Sequence, residues 1–233
     1  SLKGWVRGLK GHEVDAATLA FKAGDALYGT FACRSVDALL VFGSNGRVYS
    51  TAVAQLPGGR GDGQPITSLI DLESGTQPAH YFAGHLQQTL LLANTGGFGL
   101  LARVGDLLSR QKGGKSFLSL EADEKPLPPS LTDGQAQVAC LSLSGRLLVF
   151  GLDELKLQAN GGRGLTLIDL DPKDALVSVA AFNQNLQVLG TGRGGKPKDE
   201  LLKPAALVAY LGKRARKGRV QDAMQKAQRV VAA

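Results

Sequence analysis

The chain has 233 residues, 43% of them hydrophobic, and its 27 Lys and Arg against 20 Asp and Glu give a net charge of +7. That is enough apolar material for a buried core and too much for a disordered tail, and no apolar run reaches the ~18 residues that a membrane helix needs. Glycine is abundant at 31 residues and aromatics are scarce at 6%, which together point to many turns, short elements and an all-β protein.

The chain opens on Ser1 within a strand-like run, without Met and without a signal-peptide pattern, and reads as a piece of a longer protein. Gly4-Trp5-Val6-Arg7 looks like the second half of a hairpin. Full copies follow. Leu39-Leu40-Val41-Phe42 runs through Gly43-Ser44-Asn45-Gly46 into Arg47-Val48-Tyr49, and Leu90-Leu91-Leu92-Ala93 through Asn94-Thr95-Gly96-Gly97 into Phe98-Gly99-Leu100. Val138-Ala139-Cys140-Leu141 passes through Ser142-Leu143-Ser144-Gly145 into Arg146-Leu147-Leu148, and a weaker copy ends at Gly192. The turn glycines 4, 46, 97, 145 and 192 are 42, 51, 48 and 47 residues apart. Asn45-Gly46 suits a two-residue turn with φ > 0 at both central positions.

Each copy continues alike. A Leu lies ten residues beyond the turn glycine (Leu56, Leu107, Leu155 and Leu202), and Asp106, Asp153-Glu154 and Asp199-Glu200 precede three of them like the opening of a helical turn. A Gly/basic loop comes next, then an alternating strand at 66–72, 117–120 and 165–170. Residues 221–230 have a helix-like composition, whereas the repeat places a closing strand near 228–231. A period near 50 residues with about four strands is blade-sized, and one blade cannot bury both its faces alone. The expectation is a single domain over 1–233 of about five four-stranded blades: roughly 1–30 completed by chain-end strands, then 31–78, 79–130, 131–175 and 176–233.

The positive charge is local. The segment 193–219 holds nine cations against Asp199 and Glu200, a balance of +7 that equals the whole net charge. A local positive field suits a polyanion. Glycines let backbone N–H groups approach phosphate and Arg adds bidentate bonds, so the candidate duplex-DNA contacts are Lys10, Arg60, Arg110, Lys112, Lys115, Arg163, Arg193, Lys196, Lys213, Arg214, Arg216, Lys217 and Arg219. Arg214, Arg216 and Lys217 rank first because they sit where the charge is densest.

Several spaced motifs resemble one family. Gly46-Arg47-Val48-Tyr49, Leu56-Pro57, Arg60-Gly61 and Pro65-Ile66-Thr67 resemble the first complete repeat of the C-terminal domains of type IIA bacterial topoisomerase A subunits. Gly4-Trp5-Val6-Arg7 with Lys10-Gly11-His12 and Lys22-Ala23-Gly24-Asp25 is similar to the topoisomerase IV branch. The gyrase branch carries a Gln-Arg-Arg-Gly-Gly box that supports chiral wrapping; here the stretch reads Gly8-Leu9-Lys10-Gly11-His12. The resemblance implies a β-pinwheel, a disc of propeller-like blades with swapped strands whose basic rim binds and bends DNA. It also implies a non-catalytic domain in a bacterial cytoplasm, at the nucleoid. Its partners would be the ATPase subunit, the rest of the A subunit, and a condensin-type protein.

Other chemistry is poorly supported. Gly114-Lys115-Ser116 lacks the earlier glycine of a phosphate-binding loop, since position 109 is Ser109. Asp169 and Asp171 recur in register as Asp71 and Glu73, which favours a structural role. His12, His80 and His85 have no metal-ligand spacing, so no catalytic site, metal or cofactor is expected. Trp5 reads as packing. Cys33 and Cys140 lie in apolar runs and read as buried thiols rather than a disulfide, which fits a reducing cytoplasm.

Overall fold

A computed structural model describes residues 1–11, 14–59 and 61–233. The repeat is visible in the strand order. The first repeat gives β1 (Trp5–Val6). The second gives β2 (Ala38–Gly43), β3 (Arg47–Ala52), β4 (Gln64–Pro65) and β5 (Pro78–Gly84). The third gives β6 (Thr89–Ala93), β7 (Phe98–Arg103), β8 (Lys115–Ser116) and β9 (Ser130–Leu131), and the fourth β10 (Gln137–Ser142), β11 (Arg146–Gly151), β12 (Leu165–Thr166) and β13 (Leu176–Phe182). The fifth gives β14 (Leu186–Thr191), β15 (Pro197–Leu202), β16 (Arg219–Val220) and β17 (Lys226–Ala232). Among the described residues helix is confined to short stretches, chiefly α1 (Val104–Leu107) and α2 (Pro204–Leu207), the second continued by a 3-10 turn at Val208–Tyr210.

Pairing crosses from repeat to repeat. The sheets run β5-β2-β3-β8, then β9-β6-β7-β12, then β13-β10-β11-β16, with β15-β14-β17 and the pair β1-β4 at the two ends. The third strand of each repeat is therefore lent to the preceding blade: Lys115 pairs with Val48, Leu165 with Gly99, Arg219 with Leu147 and Gln64 with Val6. The chain-end strand β17 belongs to the fifth sheet, beside β14, and leaves β1 with β4 alone. Residues 226–232 are strand, as the repeat requires, and not helix.

The cores lie between blades, which is why the hairpin strands are apolar without a break. Leu39 and Val41 pack toward the first repeat, while Leu40 and Phe42 pack with Leu90, Leu92 and Leu100 of the next blade. Leu91 and Ala93 turn the other way, onto Val138, Cys140 and Phe150, and the fourth and fifth blades meet through Leu141, Val149, Val188 and Val230. Period-two alternation is retained, but both faces are buried.

A glycine-closed turn sets each of the five hairpins. Gly4, Gly46, Gly97, Gly145 and Gly195 each donate back to the residue three earlier at 3.0 to 3.2 Å. All five have φ between 73° and 86°, whereas Asn45 does not adopt positive φ. In the first four this is a type I turn closed by a left-handed glycine, not the two-residue turn expected at Asn45-Gly46, whereas in the fifth the preceding residue, Gly194, is left-handed as well, with φ 72°. In the fifth copy the glycine is Gly195 rather than Gly192, whose φ is −91°. Asp199-Glu200 consequently fall inside β15, and the helical turn comes later, at α2.

The alternating stretches are mostly not strand: 66–72 opens with a 3-10 turn at Ile66–Ser68 just after β4, 117–120 follows β8 with a single bridge at Leu118, and 165–170 is strand only at Leu165–Thr166. Their apolar residues, Ile66, Phe117, Leu118, Leu167 and Ile168, are buried plugs beneath the neighbouring blade. The inner strands are linked by polar side chains: Tyr28 Oη lies 3.3 Å from His80 Nδ1, Ala181 N–H donates to Ser130 Oγ and Val230 N–H to Ser178 Oγ. Cys140 is fully buried and desolvation pushes its thiol well up, but Cys33 is exposed, contrary to expectation; both are free.

Candidate nucleic-acid interface

The lent strands carry the Gly/basic loops to the outer edge of each sheet. Each loop ends in a glycine with φ between 60° and 85°: Gly63, Gly114, Gly164 and Gly218. A Cβ on Gly164 would lie 2.1 Å from the Gly99 carbonyl oxygen, and one on Gly114 would lie 2.5 Å from that of Val48. The glycines are needed for this close approach of two backbones. One step further on, Ile66, Phe117, Leu167 and Gln221 donate to the carbonyls of Gly4, Gly46, Gly97 and Gly145. Gly114-Lys115-Ser116 is one of these lent strands and has no phosphate-loop geometry, since no helix follows it.

The expected DNA contacts divide by what they already touch. Arg163 forks onto Glu124 at 2.6 and 2.9 Å, reaches Glu121 at 3.3 Å and stacks over Phe98. Arg214 donates to the Thr166 carbonyl at 2.6 Å, while its own N–H is taken by Glu154. Lys217 is bound by Asp171, which also attracts Arg146. The hydrogen bond and charge of Lys217 hold the Asp171 carboxyl below its usual value. Lys115 donates to the Asp106 carbonyl.

Lys10, Arg110, Lys112, Arg193, Lys196, Lys213, Arg216 and Arg219 are exposed and make no ion pair among the described residues. Arg60 and His12 lie outside the described residues. Lys10 follows the Gly8–Gly58 bridge and so sits beside the first loop. Lys213 and Arg216 lie on the loop that leads into β16 and Arg219 opens that strand, on the edge of the fourth blade. Trp5 is half-buried beneath the Lys22 ammonium, 3.4 Å from the ring centroid. Two further cations, which neither loop composition nor charge density singles out, lie near the same edges. Arg47 clamps the Gly113 and Gly114 carbonyls, and Lys226 is exposed opposite Thr191.

Of the acids expected to be structural, Glu73 accepts from the Asn45 side-chain amide and Asp171 holds Lys217, while the fourth turn is locked by Asp174, which the sequence reading did not single out. Asp174 accepts from the Ser144 N–H and hydroxyl and from the Ala175 N–H, and these bonds outweigh its desolvation and hold its carboxyl below the usual value.

The fold is shared with known proteins. Residues 37–73 and 136–183 match the family described as DNA gyrase C-terminal domain, beta-propeller. The A subunit of DNA topoisomerase 4 from Neisseria gonorrhoeae is 35% identical over 94% of this chain, and that from Escherichia coli K12 is 31% identical over 99%. The solved E. coli ParC C-terminal domain superposes with a TM-score of 0.84 at 28% identity, covering 98% of this chain and 94% of that one. The chain belongs to the C-terminal domain family of bacterial type IIA topoisomerase A subunits. It spans 29% and 31% of the length of the two curated relatives. A gyrase A C-terminal domain at 17% identity and a TM-score of 0.69 shares the fold. The family places this chain in a non-catalytic region of the larger protein.

Proposed function

We propose that the chain is the DNA-binding accessory domain of a topoisomerase IV A subunit, which binds and bends duplex DNA and presents the transported segment to the enzyme. The observation that carries this reading is the set of exposed cations at the sheet edges that make no ion pair among the described residues: Lys10, Arg110, Lys112, Lys213, Arg216 and Arg219. Such loops, repeated around a curved body, meet phosphates at intervals and neutralise them with counterion release. Bases are not read, because the loops offer few Asn or Gln, and DNA deformability supplies any preference.

On this reading Lys213, Arg216 and Arg219 lead, while Arg163, Arg214 and Lys217 chiefly hold the blades together. Arg60 remains a proposed contact of the first loop. The partners are the rest of the A subunit, together with its ATPase subunit, in a bacterial cytoplasm at the nucleoid. A condensin-type partner draws no support from the fold or from the matched relatives. The test is binding of an end-labelled duplex, read by energy transfer between its ends. The expected result is shortening of the end-to-end distance, with equal displacement by an unrelated duplex of the same length. Unchanged end-to-end distance in the bound state overturns bending, and strong preference for one sequence overturns backbone-led binding.

A further inference from the structure

In the first blade two strand positions face each other across a gap. Leu2 N–H donates to the Ala26 carbonyl at 2.8 Å, as Ser44 does to Gln77 at 2.8 Å and Leu143 to Ala175 at 2.7 Å. Gln77 and Ala175 immediately precede the inner strands β5 and β13, each of seven residues. Residues 27–33 therefore stand at the inner-strand position of blade one, yet they make no backbone hydrogen bond among the described residues and are not strand.

Across the gap is the free edge of β1. Gly8 N–H donates to the Pro57 carbonyl on the β4 side, so the Arg7 N–H and carbonyl point the opposite way, into the gap. There they meet no backbone partner among the described residues. The Ser1 amine donates to the Trp5 carbonyl at 2.8 Å, as Asn94 N–H does to the Phe98 carbonyl at 2.9 Å just beyond β6. The backbone at Ser1 thus already makes the first rung of a ladder along this edge. Between the two edges lies a cleft of about 540 Å³ lined by Trp5, Val6, Phe31, Leu39, Val53 and Leu56.

The cores between blades define what fits there. Leu40 and Phe42 of blade two meet Leu90 and Leu92 of blade three, and Leu91 and Ala93 meet Val138 and Cys140 of blade four. At the contact of blades one and two, Leu39 and Val41 are in place, but blade one supplies no strand residues against them from the position that β2 holds in blade two. Gly4 N–H donates to Ser1 as Gly46 does to Gly43, so the counterparts of Phe42 and Leu40 are the first and third positions before Ser1.

We infer that this cleft receives a six-residue β-strand, antiparallel to both β1 and residues 27–33, and that the occupant is the segment that precedes Ser1 in a longer A subunit, with apolar side chains at its first and third positions before Ser1. The inference rests on the reading of the chain as one domain of such a subunit and adds how that domain is joined to it. In the curated relatives the matched part is 29% and 31% of the length, so further chain is at hand to supply the strand. Main-chain bonds to both edges hold an added strand and the alternate apolar side chains select it. The connection to the rest of the subunit is then built into the first blade, not hung from it as a free tether.

The test compares the chain as it stands with the same chain extended by the ten residues that precede Ser1 in its own A subunit. In the extended chain the Arg7 amide and alternate amides of 27–33 exchange hydrogen more slowly by roughly tenfold or more, and the exposed Cys33 thiol, which lines the same cleft, reacts more slowly with a disulfide-exchange reagent. Unchanged exchange at these amides overturns the inference. Protection that appears in the unextended chain as its concentration rises, with a dimer in sedimentation, assigns the cleft to a second copy and overturns it equally. Duplex binding is measured on both chains alongside. Protection without duplex binding keeps the strand and removes the DNA-binding reading, and duplex binding without protection does the reverse.

Discussion

Asp174 accepts hydrogen bonds from both the backbone N–H and the hydroxyl of Ser144, at 3.0 and 2.6 Å. Asp25 repeats the arrangement with Lys3 N–H and the Ser1 hydroxyl, at 3.0 and 2.6 Å. Desolvation raises both carboxyls, yet the hydrogen bonds prevail and both titrate below their ordinary value, as does Asp37, whose principal partner is the Arg34 N–H. Groups depressed in the folded state contribute stability that is complete above the unfolded carboxylate pKa of about 3.9 and is lost as pH falls through the folded values beneath it. The urea midpoint should therefore hold steady down to about pH 5 and fall below about pH 4. Asp174→Ala should cost about 1 kcal/mol at neutral pH and shrink the acid-dependent loss, as measured by urea unfolding at several pH values.

Two adjacent glycines in the third-repeat loop should behave oppositely. Gly114 has φ +60° and a Cβ there would sit 2.5 Å from the Val48 carbonyl oxygen, whereas Gly113 has open space. Gly114→Ala should destabilise by more than about 1 kcal/mol through strain and displacement of β8. Gly113→Ala should stay within about 0.5 kcal/mol of the unmodified chain. Thermal melts of the two variants check this, and equal losses would show that lead-in geometry is not what the loop glycines serve.

The fifth blade carries its own edge protection. In the other blades the second residue after the turn glycine (Val6, Val48, Gly99 or Leu147) pairs with a lent strand, and in the fifth this residue is Pro197. Proline has no N–H for such a strand to accept, which suits an unpaired edge. Pro197→Val should raise concentration-dependent self-association in sedimentation relative to the unmodified chain. An unchanged profile would mean that the edge is protected by something other than Pro197.

Thiol chemistry separates the cysteines. Cys33 is exposed and Cys140 fully buried with its thiol pushed up by desolvation. A disulfide-exchange reagent should titrate one thiol in the native chain and the second only after denaturation. Two fast thiols would contradict the core placed between blades three and four.

The repeat was legible because Gly46, Gly97 and Gly145 punctuate apolar runs long enough to read. The fifth turn was misplaced by three residues, since Gly192, Gly194 and Gly195 look alike to spacing and differ in φ. Strands of two residues are too short to show alternation, so the lending of Lys115–Ser116 or Arg219–Val220 to the blade before had no local signal. The plugs that follow imitate a strand because Ile66, Phe117 and Leu167 must reach the core from outside it. Charge density also does not show which cations already have internal partners. Arg163 and Arg214 find their partners 39 and 48 residues away, at Glu124 and Thr166, a distance that composition does not span.

The most direct test of the central claim is the salt dependence of duplex binding for the unmodified chain and for Lys213→Ala with Arg216→Ala and Arg219→Ala. These three cations are exposed, on the loop before β16 and at its first residue, and make no ion pair among the described residues. If each meets a phosphate, removing all three should flatten the logarithmic slope by roughly 2.7 and weaken binding most at low salt. An unchanged slope in the triple variant, with Arg163→Ala alone weakening binding more than the triple change, would contradict the account.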